Sequence, residues 1–310
     1  MSHIGLLFFL LAVGMLYWQL RSRSISDILD FMTDIPIVNI ICALVLCVAE
    51  YLTLSCYDCL ALHYIGKKLR WWKWMLAGMM GFVISNNAGN AAISGGAIRY
   101  RLYTRWRIKA GDIVKMLTFS GFTYYLGAAA VVVAGYNLLP DETVAMTVML
   151  FGCCVFLAAY FGSCLFFQGK TFKIGQLAFR VPSLATAITQ TALGMTDSIL
   201  AGLVLYFLTM HIAPISVVQF VAIFVVAQSA GIFAQVPGGI GVFEGVVMLV
   251  MPESVDQAAL FGSLIAFRIV YYLVPLVSVG TTFFIYEGGL KSKMKKWKIF
   301  QPVGKIRKKR

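Results

Sequence analysis

Charge is what this sequence has least of: 13% of its 310 residues are Asp, Glu, Lys or Arg, against 60% hydrophobic residues. Soluble chains average about 45 to 50% apolar residues, and even a large globule needs polar surface outside its core. A water-soluble fold is therefore excluded, and the bilayer has to serve as solvent. Histidine is scarcer still, and His3, His63 and His211 are too scattered to suggest a metal site. The sequence contains no His-Glu-x-x-His, Gly-x-Ser-x-Gly or phosphate-loop pattern, so no soluble-enzyme signature survives. Acidic residues number 13 against 26 basic ones, and ten of the bases crowd into the last twenty positions. That local asymmetry differs from the basic face of a nucleic-acid-binding domain, and nucleic acid is excluded as a partner. The seven cysteines (Cys42, Cys47, Cys56, Cys59, Cys153, Cys154 and Cys164) all lie inside apolar runs. Cys56 and Cys59 have a redox-type spacing but no flanking strand or second pair, so they read as small hydrophobes. No cofactor is indicated.

What the chain does have is apolar length. At about 20 residues per crossing, spans fall at about 3–20, 36–62, 112–136, 143–167, 183–209 and 257–286. Two further stretches, 74–98 and 216–250, are interrupted in the middle. The first interruption runs from Ser85-Asn86-Asn87-Ala88-Gly89-Asn90 to Ser94-Gly95-Gly96, the second from Gln228-Ser229-Ala230-Gly231 to Pro237-Gly238-Gly239-Ile240-Gly241. Backbone of that kind cannot face lipid, where every N–H and C=O must be bonded internally. It reads as a pair of re-entrant hairpins lining an enclosed or wet cavity, with two kinked but ordinary spans as the alternative.

Placing both hairpins on their own sides puts 22 of the 26 bases on one face, with only Arg21 and Arg23 opposite. By the positive-inside rule both termini are then cytoplasmic. The start, Met-Ser-His-Ile, lacks a basic region and cleavage site, so the first span is expected to be retained. A shift of 142 lays the elements of the first half on those of the second: Phe82-Val83 falls on Phe224-Val225 and Ala88-Gly89 on Ala230-Gly231. One inserted residue later, Gly95-Gly96 falls on Gly238-Gly239. Each half crosses three times, so the halves enter from opposite sides. The expected fold is an all-α polytopic membrane protein with an inverted repeat of about 3+3 spanning helices and one re-entrant Gly-rich hairpin per half. Residues 1–290 form a single transmembrane domain (repeat 1 about 1–140, repeat 2 about 143–290), followed by a basic cytoplasmic tail, 291–310. In transporters of this plan the interrupted segments form the substrate site near the midplane. Gly95, Gly96, Pro237, Gly238, Gly239 and Gly241 are the expected hinge.

A charge at the bilayer centre costs about 2.5 to 3.5 kcal/mol on insertion scales, so the intramembrane ions mark the places to look. Arg268 lies near half depth in its span, and Glu244 sits just after Gly241. They either neutralise each other or bind cargo. Asp58 can snorkel or pair with Arg99 or Arg101, and Asp197 is deeper. Glu50 lies two turns before Asp58. Trp71, Trp72 and Trp74 read as an interfacial belt, and the tail bases as anchors on anionic lipid.

The strings Cys56-Tyr57-Asp58, Ser94-Gly95-Gly96-Ala97-Ile98-Arg99-Tyr100-Arg101-Leu102-Tyr103, Pro237-Gly238-Gly239-Ile240-Gly241-Val242-Phe243-Glu244 and Phe267-Arg268-Ile269-Val270-Tyr271-Tyr272 carry a resemblance. Over nearly its whole length the chain resembles the transmembrane flippase module of the lysylphosphatidylglycerol synthase family, with its stand-alone YbhN-like inner-membrane members. The resemblance implies a bacterial plasma-membrane protein that moves a lipid between leaflets, with Asp58, Arg99, Arg101, Glu244 and Arg268 as the functional set. Full-length family members continue into a soluble aminoacyl-transfer domain, whereas this chain stops at Arg310, so it is not expected to synthesise aminoacylated lipid.

Lipid translocation is accordingly the leading expectation. Arg99, Arg101, Arg105 and Arg107 gather an anionic headgroup, which passes Asn86, Asn87, Asn90 and Ser94, while Glu244 holds a cationic group and Arg268 a phosphate. The expected partners are membrane lipids with anionic headgroups, a separate lipid-synthesis enzyme and a second copy of the chain. An intramembrane lipid-modifying transferase using Asp58, Asp197 and Glu244, or an ion-coupled solute carrier, are the alternatives.

Overall fold

The computed structural model describes residues 33–88, 91–136, 144–213, 215–234, 236–252 and 254–299. Uninterrupted apolar runs close their own backbone hydrogen bonds most economically as helices, and ten helices carry the described chain. These are α1 (Ile37–Tyr64), α2 (Trp71–Ala88), α3 (Ala91–Arg105), α4 (Ala110–Gly135), α5 (Val144–Phe166), α6 (Leu184–Thr209), α7 (Val217–Ala234), α8 (Val242–Val250), α9 (Gln257–Phe267) and α10 (Val274–Ile299). Polar residues mark several starts. Ser183 accepts from Thr186 N to cap α6, and Asp256 accepts from Ala258 N and Ala259 N to cap α9.

Among the described residues, six segments are long and apolar enough to cross a membrane: Ile37–Tyr64, Ala110–Gly135, Met146–Phe166, Leu184–Thr209, Val217–Ala234 and Gln257–Tyr286. Five coincide with expected spans. The sixth, α7, is the first limb of the interrupted stretch 216–250, and the expected span at 3–20 lies outside the described residues, as do Asn90 and the end of the basic tail.

Helix α6 lies between α1 and α4 at the centre of the bundle. Its closest approach is glycine on glycine: a Cβ on Gly127 of α4 would sit 2.0 Å from the backbone of Gly194. In lipid, packing and not water drives helices together, so small residues at such crossings set how near two backbones come. At the other extreme, almost none of α5 is buried, and its Val148, Phe151 and Val155 face outward.

Two helical hairpins are built into the bundle. Helix α3 runs back along α2, where a Cβ on Gly95 would lie 1.9 Å from Ser85 Oγ and 2.3 Å from the Gly81 carbonyl. Helix α8 runs back along α7, with Phe243 edge-on to Phe224 at 5.6 Å between ring centroids. A short 3-10 turn, Pro237–Gly239, joins α7 to α8.

Two features had no counterpart in the sequence reading. A two-stranded antiparallel β-ribbon, Thr171–Ile174 with Leu177–Arg180, occupies what reads as a basic loop. It is pinned to the end of α1, because Tyr64 Oη donates to the Arg180 carbonyl (2.8 Å) and accepts from Arg180 N (3.1 Å). The second feature is a π-helical turn, Arg268–Leu273, between α9 and α10 within the expected last span. Its cause is local. Pro275 has no N–H to donate to the carbonyl of Tyr271, four residues earlier, so the ladder loosens upstream. The released carbonyls serve other helices: Tyr51 Oη donates to Tyr271 O (3.1 Å), Cys47 Sγ to Val270 O (3.4 Å) and Asn87 Nδ2 to Tyr272 O (3.4 Å).

Candidate functional site

The two hairpin tips meet. The Asn86 carbonyl at the end of α2 is 3.4 Å from where a Cβ on Gly238 would stand, and Asn86 Nδ2 donates to Tyr51 Oη at 3.2 Å. Tyr51 is the fifteenth of the 28 residues of α1, so the tips lie at half its length. Three sets of buried charged groups surround this meeting point.

The first set joins α1 to α3. Arg99 Nε donates to both carboxylate oxygens of Asp58 at 3.0 Å, and Tyr103 Oη donates to Oδ2 at 2.7 Å. Arg99 is 4% exposed and Asp58 1%. The guanidinium also stands 4.2 Å from the Phe82 ring centroid, a cation–π arrangement. Gly81 makes the room, since a Cβ there would lie 2.6 Å from Arg99 Cζ. Of the two partners considered for Asp58, the structure selects Arg99, while Arg101 is exposed on α3 together with Arg105 and with Arg107 just beyond it.

The second set staples the loop before α8. Gly238, Gly239 and Gly241 have φ of +60°, +63° and +83°, a region open to glycine at no steric cost. Glu244 accepts from Gly241 N (2.7 Å), which satisfies a free donor at the start of α8. Arg268 Nε donates to Glu244 Oε1 at 2.6 Å, and its Nη1 donates to the Gly238 carbonyl. The same guanidinium lies 4.7 Å from the Tyr272 ring centroid. Glu244 and Arg268 are thus each other's partners and the clasp of the Gly-rich loop. Gly95 and Gly96 have a different place from the loop glycines: both lie within α3, Gly95 at the contact with α2 and Gly96 facing Leu117.

The third set lies deepest. Tyr57 Oη donates to Asp197 Oδ2 and Tyr271 Oη to Glu50 Oε1, both at 2.7 Å. Glu50 and Asp197 face the same contact between α1 and α6, with Tyr57, two turns after Glu50 on α1, reaching across to Asp197. Glu50 is the fourteenth residue of 28 in α1, and Asp197 the fourteenth of 26 in α6. Sequence reasoning singled out Asp197 but not Glu50 as its neighbour, nor Tyr51, Tyr57, Tyr103 and Tyr271 as the hydroxyls that bind the charges. The signal was present: Glu50, Tyr57 and Asp58 recur at seven and eight residues, which places them on one face of a helix. Asn86 and Asn87 sit half-buried at the end of α2. No group of three or more His, Cys, Asp or Glu is placed to hold a metal ion among the described residues.

These features define a polytopic helical membrane protein whose interior is held by paired charges and tyrosines. The chain matches, over residues 4–278, the family model described as the lysylphosphatidylglycerol synthase TM region, and it belongs to that family. It is 32% identical over 294 residues to the uncharacterized protein slr0712 of Synechocystis, covering 92% of this chain and 90% of that one. To the inner membrane protein YbhN of Escherichia coli it is 25% identical over 294 residues, 92% of each chain. A shorter match, 30% over 116 residues, links 36% of this chain to 14% of a phosphatidylglycerol lysyltransferase of Staphylococcus epidermidis.

Proposed function

We propose that the protein moves a phospholipid or related lipid, aminoacylated phosphatidylglycerol among the cargoes to be tried, between the leaflets of a bacterial inner membrane. The single observation that carries this reading is the meeting of two interrupted, polar hairpin tips at half the length of α1, Asn86 against Gly238, beside charges kept at cost in an apolar interior. Family membership supports it, as does the lysyltransferase relative, whose name gives phosphatidylglycerol as its substrate.

In the proposed arrangement residues 1–290 form one transmembrane domain of two inverted halves, each with a re-entrant hairpin, and both termini and the basic tail are cytoplasmic. Exposed Arg101, Arg105 and Arg107 collect the anionic headgroup, since guanidinium presents forked donors to phosphate. The headgroup then displaces paired charges: its phosphate takes the place of Glu244 on Arg268, and a cationic headgroup amine takes the place of Arg268 on Glu244. Exchanging one ion pair for another avoids an uncompensated buried charge, which costs about 3 to 5 kcal/mol. Acyl chains stay in lipid throughout. The protein acts without a cofactor and not as an enzyme. A separate lipid-synthesis enzyme and a second copy of the chain are its proposed partners.

The test is reconstitution into vesicles carrying headgroup-labelled phosphatidylglycerol, with and without an aminoacylated form, whose outer-leaflet label is destroyed chemically. Protein-dependent loss of inner-leaflet label without new lipid species is expected. A new lipid species would move the assignment to a transferase, and neither outcome to a solute carrier.

A further inference from the structure

Among the described residues, Glu50 and Asp197 are the buried acidic set with no cation. Glu50 is fully buried and Asp197 4% exposed, and among the described residues neither takes part in an ion pair. The titratable groups facing them are Cys47, Tyr51 and Tyr57 on α1, Tyr124 on α4, and Tyr271 and Tyr272 in the π turn, none of them basic. Each carboxyl receives one tyrosine hydroxyl, and Glu50 Oε2 is buried with no donor turned toward it. Two adjacent carboxylates in a low-dielectric interior cannot both be charged. A proton shared between them would supply the missing donor.

The pair is also linked by hydrogen bonds to the π turn and to both hairpins. Tyr271, which donates to Glu50, belongs to the same π turn as Arg268, which clasps Glu244 and the Gly238 carbonyl. Its carbonyl receives Tyr51, which in turn receives Asn86 from the other hairpin. A second proton, or loss of the first, changes what Glu50 offers Tyr271. It thereby biases a turn already loosened by Pro275, with the headgroup clasp three residues away. Single π turns of this kind are often found at functional sites.

We propose that Glu50 and Asp197 form a proton-binding site, and that loading and unloading of this proton is coupled to passage of the headgroup, making the protein a proton-coupled lipid translocator. The coupling half rests on the lipid reading above; the proton site stands on the carboxyl pair alone.

Two measurements on the full-length protein in vesicles separate these. The first is the infrared C=O stretch of a protonated carboxyl during pH titration, compared between wild type, Glu50→Gln and Asp197→Asn. Each amide supplies the N–H that replaces the shared proton, so each variant is expected to fold. The second is movement of headgroup-labelled phosphatidylglycerol under an imposed pH gradient, with a pH dye in the lumen. Expected are a titrating carboxyl band lost in both variants, lipid movement accelerated by the gradient with a matching change in lumenal pH, and gradient-independent movement in Glu50→Gln. Absence of the band, or wild-type lipid movement indifferent to the gradient, overturns the proposal. If the band and a Glu50-dependent proton leak are present but no lipid moves, the proton site stands and the lipid reading falls.

Discussion

Neutralising Asp58 alone should unfold more protein than neutralising Asp58 and Arg99 together. The Arg99 guanidinium is 4% exposed, binds both oxygens of Asp58 through Nε, and has an Nη2 that is buried without an acceptor. Asp58→Asn keeps the shape and removes the counter-charge, leaving a cation that, among the described residues, keeps the Phe82 face as compensation. Breaking a buried pair in this way costs about 3 to 5 kcal/mol, and the cation–π contact offsets about 0.5 to 2 kcal/mol of it. The net loss, about 1 to 4.5 kcal/mol, is a sizeable part of a typical stability of about 5 to 15 kcal/mol. Arg99→Gln should cost a similar amount, because among the described residues Asp58 then keeps only the Tyr103 hydroxyl. In the double variant two amides face each other, no charge is stranded, and a coupling energy of about 1 to 3 kcal/mol is expected. Reversible unfolding of all four proteins in one detergent, followed by tryptophan fluorescence, gives the cycle. Additive single losses would refute the reasoning that charge compensation, and not the shape of the α1–α3 contact, holds Arg99 in place.

Three further outcomes follow from particular residues. Gly238→Ala forces a Cβ at φ +60°, 3.2 Å from Arg268 Nη1, and should lower stability by about 1 to 2 kcal/mol and impair lipid movement, while Gly152→Ala, with open space around it, should do neither in the same thermal and transport assays. Pro275→Ala returns an N–H that competes with Tyr51 for the Tyr271 carbonyl, so lipid movement should fall while thermal stability holds or rises; unchanged transport would detach the π turn from function. Single cysteines in a cysteine-free background at Lys68, Arg107 and Gly175 should react with an impermeant maleimide only from the cytoplasmic side, and at Ser254 only from outside. Opposite faces for 68 and 107 would make segment 74–98 a crossing and end the inverted-repeat reading.

Much of the helix inventory was legible because membrane helices follow from run length and punctuation. Expected spans 36–62, 183–209 and 257–286 differ from the observed segments by two residues at most, their ends fixed by Pro36, the Ser183 cap and the Asp256 cap. The Asp58–Arg99 and Glu244–Arg268 pairs were also within reach, since a lone intramembrane charge has to find its opposite. What escaped depends on how helices face one another. Glu50 and Asp197 are 147 positions apart on helices whose rotation is set by the Gly127–Gly194 contact of α6 with α4 and by the wider bundle. Nothing in either local sequence says that two acids should meet. The π turn escaped because a single proline one turn downstream can kink, loosen or leave a helix intact, and the choice was made by Tyr51, Cys47 and Asn87 supplying donors to the freed carbonyls. The β-ribbon at 171–180 escaped because its strands are four residues each and no residue of either is buried, so no core-facing stripe marks it.

The claim that Glu244 and Arg268 pass a lipid headgroup is tested most directly by the double variant Glu244→Gln/Arg268→Gln in vesicles with labelled phosphatidylglycerol. With both charges removed no ion is stranded, so the protein should insert and unfold at nearly the wild-type temperature, yet leave the inner-leaflet label where it was. A double variant that moves lipid at the wild-type rate would contradict the account and reduce the pair to a clasp for the Gly238 loop.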